Sequence, residues 1–204
     1  MRKQLKRVGI CLVFAAAVWL FMLVTDRQTL KRELIRLHVV AASDSPEDQA
    51  VKLQVRDAIL ENLQEGLSQV TDVSAAISYV ESHLPAIEET ANRVLELAGA
   101  PDSVRVSLDL ESFPKRIYDT FSLPSGIYQS LRVMIGEGEG QNWWCVIFPE
   151  LCLPETEEAF SKQAEESGLG DTLTQTLQEK DVYCIRFFFL DLIGKVENLL
   201  FSRK

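Results

Sequence analysis

The chain has 204 residues, of which 30 are acidic and 21 basic, and it carries a net charge of −9 at pH 7. An acidic chain is a poor partner for nucleic acid or anionic lipid headgroups, because both present phosphates; a basic protein surface suits it better, although acidity often serves solubility alone. The length allows one domain with a substantial core.

Residues 1–24 have the pattern of an export segment. An uncharged run from Val8 to Val24 follows four basic residues at the start of the chain. The positive-inside rule keeps such an amino terminus at the cytoplasmic face and sends the remainder across the membrane. A buried core helix is the alternative, and it would not explain the basic cluster. The basic residues are Arg2, Lys3, Lys6 and Arg7.

The sequence of this segment does not decide whether it is cleaved after export. The apolar run is longer than a typical signal-peptide core and barely long enough to span a bilayer. Ala15 and Ala17 fit a cleavage site, but cutting there would leave the apolar stretch 18–24 exposed. We therefore expect residues 8–24 to be an uncleaved anchor, with a cleaved signal peptide as the alternative and residues 25–33 as a linker.

The first part of the exported domain, which we place at residues 34–204, alternates from strand to helices. Residues 34–40 form a β-rich run that predicts a central strand. Ser45 and Pro46 then favour the start of a helix to about Leu63, ending at Gly66. A second helix is expected from Thr71 or Asp72 until Pro85 interrupts it, and a third from Pro85 to Ala98.

The second part is rich in alternating strands. They are predicted at 104–110, 127–135 and 143–148, and the last two are expected to form a hairpin with a flexible acidic tip at 136–142. Two weak helical stretches follow in 154–181, whose role we leave open, then a strand at 183–187 and a closing helix. The fold class is α+β, with an antiparallel or mixed sheet of about four strands and helices mainly on one face.

The sequence offers little for catalysis, cofactors or metals. Gly136, Gly138 and Gly140 precede a strand and are separated by glutamates, so they do not predict a phosphate loop, and no nucleotide or other cofactor is expected. His38 with Asp44 and Asp48 is the nearest approach to an acid/base or metal site, but the chain has only two histidines and no Cys-x-x-Cys. No small-molecule substrate is expected.

The cysteines predict one disulfide. Cys145 and Cys152 lie seven residues apart around Pro149, which turns the chain, and thiols can oxidise outside the cytosol. We expect a bridge between them, which would constrain the unfolded chain by about 2 to 3 kcal/mol in the loop-entropy model. Cys184, in an apolar segment, is expected to be a buried thiol, and Cys11 lies in the anchor.

The tryptophan pair is the strongest candidate for a contact surface. Successive strand residues face opposite ways, so one of Trp143 and Trp144 can enter the core while the other lies outside. An exposed tryptophan beside a closed loop is a typical interface anchor. We therefore predict partner binding by Trp143, Trp144, Glu137 and Glu139. The alternative is that helices cover both faces of the sheet.

Three stretches together resemble one family, the stage II sporulation protein R of endospore-forming bacteria. They are residues 34–49, 51–57 and 131–152, supported by the shorter pieces 91–95 and Phe113-Pro114. The resemblance covers about residues 30–152, in order and behind an export segment. Glu150 departs from it, because a second proline is expected there, and the stretch 154–180 matches nothing familiar.

The resemblance implies signalling without catalysis. Such a protein is made in the forespore and exported into the space between the forespore and mother-cell membranes. There it switches on a membrane-embedded aspartyl protease, which processes the precursor of an early mother-cell sigma factor. Two other classes stay open, a cell-envelope hydrolase and a structural protein of the sporulation septum.

The anchor can be tested directly. Full-length chain should remain in membranes after a carbonate wash, whereas a shorter soluble species would show cleavage. Replacing Leu20 with Arg should impair insertion in either case, because a charge within so short an apolar stretch costs about 2.5 to 3.5 kcal/mol on insertion scales.

Overall fold

The computed structural model of the chain describes residues 2–149, 157–166, 171–178 and 185–202. In chain order, the helices and strands within these ranges are α1 (Arg2–Glu33), β1 (Ile35–Val40), α2 (Pro46–Leu67), α3 (Val73–Ala98), β2 (Val104–Phe113), β3 (Arg116–Ile117), β4 (Ser122–Leu123), β5 (Gly126–Ile135), β6 (Asn142–Phe148), α4 (Glu157–Glu166), α5 (Asp171–Gln178) and α6 (Ile185–Phe201).

The main sheet has four strands in the order β2-β5-β1-β6. β1 runs parallel to β5 and antiparallel to β6, and β2 runs antiparallel to β5. The predicted α+β class with a mixed sheet is confirmed, as is the central position of the first strand. Every residue of β1 is buried, which suits its four apolar residues and requires partners for Arg36 and His38.

The predicted hairpin of β5 and β6 is wrong, because β1 lies between them. The connecting loop instead arches over the end of β1, where Gly140 donates its backbone N–H to the Ala41 carbonyl at 2.9 Å and Glu139 donates to that of Ala42 at 3.3 Å. β1 pairs with β5 on one edge and with β6 on the other, and this pairing separates the two strands that a hairpin would have joined.

Helices α2 and α3 cover one face of the sheet. Ser45 caps α2 by accepting the Asp48 N–H at 3.1 Å, and Pro46 occupies the first turn, both as predicted. Asp72 caps α3 in the same way. Asn92 of α3 also accepts the N–H of Val104, at the outer edge of β2, at 2.9 Å.

The predicted break at Pro85 is wrong, because α3 continues through it. Proline removes one helical hydrogen bond and crowds the preceding turn. Here the buried residues Val80 and Ile87 on either side belong to the same core as the sheet. Their packing holds the helix together across the proline.

The second face of the sheet is covered by the end of α1 and by α4, α5 and α6, so the expectation of helices mainly on one face is wrong. Inward side chains of β1 and β5 are buried on both sides of the sheet, which requires two helical layers. Residues Ile185 to Phe187, predicted as strand, begin α6; Tyr183 and Cys184 lie outside the described residues. The second core contains Leu23, Leu30, Leu34, Phe113, Phe121, Leu123, Tyr128, Val146, Phe160, Ala164, Leu177, Phe187 and Leu190.

Helix α1 runs without a break from the apolar segment into this second core. Residues 25–33, where a linker was expected, form its last turns, and Leu23 and Leu30 are buried in the domain. Among the described residues, the part of α1 from Lys6 to Glu33 is the helix that is long and apolar enough to cross a membrane. The apolar helix is thus consistent with a signal or an anchor, and its end is a structural part of the domain.

Arg27 fixes the end of α1 to the rest of the molecule. Its buried guanidinium donates to the Ser125 carbonyl at 3.0 Å and to Glu197 Oε2 of α6 at 2.6 Å. Burial opposes ionisation of Glu197, but hydrogen bonds from Arg27 and Lys31 outweigh it and hold its pKa below the ordinary 4.5. The Arg27 side chain therefore joins α1, the turn before β5 and α6.

We expect Arg27→Met to lower the free energy of unfolding by about 2 to 4 kcal/mol, because it leaves the buried Ser125 carbonyl without its Arg27 donor and Glu197 with Lys31 alone. Lys31→Met is the matched control, since Lys31 binds the same Glu197 from a partly exposed position and should matter by less than about 1 kcal/mol. Urea unfolding of the full chain in detergent measures both. Equal losses would contradict the central role of Arg27.

Candidate functional site

The second face of the sheet has one half under helices and one half that is polar. Phe113, Tyr128 and Val146 lie in the covered half, within the second core. In the other half the register sets His38 between Arg132 of β5 and Trp144 of β6. The Arg132 side chain is 45% exposed. This half of the face is therefore accessible at its rim and carries the polar groups of three strands.

His38 is held at both ring nitrogens. Its Nδ1 lies 2.8 Å from Glu111 Oε1, and its Nε2 lies 2.7 Å from Asn142 Oδ1. The ring also packs at 5.5 Å, between centroids, from Trp144. These contacts fix the orientation of an imidazole that is nearly buried, with a side chain 9% exposed. The cluster formed by His38, Glu111, Asn142, Ser130 and Arg132 is called the His38 cluster below.

Glu111 is the centre of charge in the His38 cluster. Burial opposes its ionisation, but the hydrogen bond and charge of His38, the Ser130 hydroxyl and the charge of Arg132 outweigh that and keep its pKa below the ordinary 4.5. The Ser130 Oγ donates to Glu111 Oε2 at 2.9 Å. Glu111 is thus an ionised acceptor that links its own strand, β2, to β1 and β5.

The geometry of the His38 cluster does not assemble a nucleophile with its base. The second ring nitrogen of His38 faces an amide, and the Ser130 hydroxyl is directed to the carboxylate instead of the imidazole. In the described ranges, no three His, Cys, Asp or Glu side chains are arranged to share a metal ion. The arrangement can present a fixed, mixed-charge surface to a partner.

His38, Asp44 and Asp48, weighed above as an acid/base or metal site and not favoured, have separate partners. The partners of His38 are Glu111 and Asn142, whereas Asp48 accepts a short hydrogen bond from the Ser43 hydroxyl at the start of α2. Sequence reasoning missed Glu111 because its contact with His38 depends on β5 lying between β1 and β2. The available signal was its place on the polar side of an alternating strand.

Trp143 and Trp144 face opposite sides of the sheet, and both are half-buried. Trp143 packs on the core under α2, with the Arg56 guanidinium 4.3 Å from its ring centre. Trp144 packs on the second core, with the Arg116 guanidinium at 3.4 Å. The alternative considered above, helices on both faces, is the observed one. Their role in partner binding stays a prediction.

The acidic loop from Gly136 to Gln141 is fixed at its base and open at its tip. Gly136 and Gly138 have positive φ angles of 57° and 69°, which favour glycine. The backbone bonds to Ala41 and Ala42 described above hold the loop over the end of β1. Glu137 and Glu139 are exposed. The loop is thus a formed acidic projection, where a flexible tip was expected.

Cys145 is disulfide-bonded, and its side chain is buried in the first core. Cys152, its predicted partner, and Cys184, predicted to be a free thiol, both lie outside the described residues. The Cys145–Cys152 pairing therefore stays a prediction. Cys11 is a free, exposed cysteine on α1.

Comparison with known proteins gives one consistent result. The family model described as Stage II sporulation protein R matches residues 31–158. The chain is 35% identical over 144 residues to the Stage II sporulation protein R of Bacillus subtilis (strain 168), a match covering 65% of this chain and 64%, less than two thirds, of that protein. No solved structure matches the chain.

The His38 cluster predicts a dependence of stability on pH. Because the pKa of Glu111 is lower in the folded chain, its ionised form stabilises the fold above the unfolded-state pKa, and this is lost as the pH falls below about 4.5. Glu111→Gln should lower the free energy of unfolding by about 1 to 2 kcal/mol at pH 7, and the deficit should shrink at pH 3.

Asp109→Asn is the matched control, because Asp109 is an exposed carboxylate two residues along the same strand. We expect it to change stability by less than about 0.5 kcal/mol at either pH. Urea unfolding followed at pH 3 and pH 7 makes the comparison. A deficit for Glu111→Gln that does not change with pH would show that its charge is unimportant.

Proposed function

Because the chain belongs to the stage II sporulation protein R family, we propose that it is an exported signalling protein that activates a membrane-embedded aspartyl protease. In this proposal the protease processes the precursor of the early mother-cell sigma factor, and the chain acts from the space between the forespore and mother-cell membranes. It acts as a ligand of the protease and has no catalytic task of its own.

The continuity of α1 with the domain is the observation that carries this proposal. A helix fit to cross a membrane ends inside the domain core, where Arg27 binds both Ser125 and Glu197. An anchored chain of this build would present its domain to a membrane-embedded partner in a set orientation. A flexible tether would leave that orientation unrestricted. The loss of orientational entropy on binding would then weaken the net binding free energy.

We propose that the acidic loop from Gly136 to Gln141 makes the contact. It lies beyond the end of β1, and α1 joins the opposite end of that strand, about 20 Å away at 3.3 Å per residue. The loop therefore projects away from the point where α1 enters. Its exposed Glu137 and Glu139 suit a basic surface on a part of the protease outside the bilayer. Trp144 and Arg132, on the polar half of the sheet face, are the adjoining residues.

The test is charge reversal in sporulating cells. Glu137→Lys with Glu139→Lys should reduce processing of the sigma-factor precursor about tenfold, because opposed charges become like charges at the contact. The melting temperature should not change, since both side chains are exposed. Glu61→Lys with Glu65→Lys is the matched control, because these exposed glutamates of α2 give the same change in net charge away from the loop.

Two outcomes would contradict the proposal at different levels. Normal processing with the loop variant would mean that the contact surface lies elsewhere. Normal processing in cells that lack the chain entirely would contradict the activating function itself.

A further inference from the structure

Helix α6 exposes several large apolar side chains, while it buries or half-buries polar ones. Asp191, Glu197 and Asn198 bind Ser125, Arg27 and the Phe113 carbonyl on the domain side, next to the core residues Phe187 and Leu190. A helix at a water-exposed surface presents mainly polar residues to solvent. The exposed apolar residues along one side are Phe188, Leu192, Val196, Leu199 and Leu200, and the exposed Lys195 lies on the same side.

Helices α1 and α6 lie side by side and run in the same direction. Near the start of α6, the ring of Phe189 packs edge-on against that of Trp19, with centroids 5.0 Å apart. Further along both helices, Glu197 binds Lys31 at 3.1 Å. Gly194 lets α6 approach the turn before β5 closely, because a Cβ there would collide with the Ser125 carbonyl oxygen. The first turns of α6 are therefore level with Trp19.

Trp19 lies within the apolar part of α1. At 1.5 Å per residue, the run from Val8 to Val24 is about 25 Å long, shorter than the roughly 30 Å hydrocarbon core of a bilayer. Trp19 is about 7 Å inside the outer end of that run. If α1 spans the membrane, side chains beside Trp19 lie within the outer leaflet, several ångströms inside the level where headgroups meet acyl chains.

We propose that the first two turns of α6 enter the outer leaflet beside α1, with Phe188 and Leu192 in contact with lipid. This is a second membrane contact, separate from the anchor, and it rests on α1 spanning the bilayer. Lipid is the favoured occupant because α1 is itself surrounded by lipid at this level. A protein partner would have to occupy the same leaflet.

The residues around this end of α6 suit the membrane interface. The Phe188 and Phe189 rings pack edge-on, with centroids 5.5 Å apart, and aromatic side chains are enriched where headgroups meet acyl chains. The Lys115 Nζ lies 4.8 Å from the Phe187 ring, where it can reach lipid phosphates while its stem stays apolar.

The experiment measures depth at two points of α6. Phe188→Cys and Leu199→Cys, each in a Cys11→Ser background, are labelled with an environment-sensitive fluorophore in the full chain, reconstituted in phosphatidylcholine vesicles. Both positions are exposed, at 57% and 66%, but Leu199 is about 16 Å farther along the helix. The Cys11→Ser chain without an added cysteine measures how much label reacts with the other thiols. The native chain labelled at Cys11 is the control for a label inside the span.

We expect lipids with a nitroxide near the headgroup to quench the label at 188 several-fold more than the label at 199, and aqueous iodide to do the reverse. Iodide quenching at 188, with the Cys11 label protected by lipid, would overturn the second contact while leaving the anchor in place. A label at 188 protected from both quenchers would mean that protein covers this face, which also overturns the proposal. A Cys11 label open to iodide would remove the span on which it rests.

Discussion

Arg27 is the point at which a helix of export character becomes part of a folded domain. A guanidinium buried without partners would be strongly destabilising, so the packing of α1 depends on the Ser125 carbonyl and Glu197 as acceptors. Ser125 in turn binds Asp191 through both its backbone N–H and its hydroxyl, at 2.9 and 2.7 Å. The turn before β5 and helix α6 therefore form one polar unit around a single cation, and the second core closes over it.

The need for this second layer begins in β1. Its residues alternate between Leu37 and Val39 on one face and Arg36 and His38 on the other, and all of them are buried. Arg36 is accommodated by the rings of Phe113, 4.0 Å away, and Tyr128, and by a hydrogen bond to the Tyr118 hydroxyl at 2.8 Å. A central strand that carries Arg36 and His38 thus divides its second face into an aromatic half and a polar half, and the polar half is the candidate site.

Local signals in the sequence predicted what depends on neighbours along the chain. Ser45 and Pro46 marked the start of α2, and alternation marked the strands and the opposite facing of the two tryptophans. The hairpin, the break at Pro85 and the linker at 25–33 were wrong because each depends on contacts from distant segments. β1 separates β5 from β6, a continuous apolar stripe holds α3 together, and α6 supplies the partner of Arg27. The pairing of His38 with Glu111 was likewise beyond local reasoning, since it requires the strand order.

The capping of β2 by α3 has a consequence for neighbouring copies of the chain. β2 is an edge strand, so its outer backbone groups could pair with a strand of another copy. Asn92 accepts the N–H of Val104, and Glu88 that of Val106 at 3.2 Å, so these two groups are already occupied at the open edge. An incoming strand would have to displace both side chains before it could pair there. α3 therefore protects neighbouring copies of the chain against edge-to-edge aggregation along that part of β2.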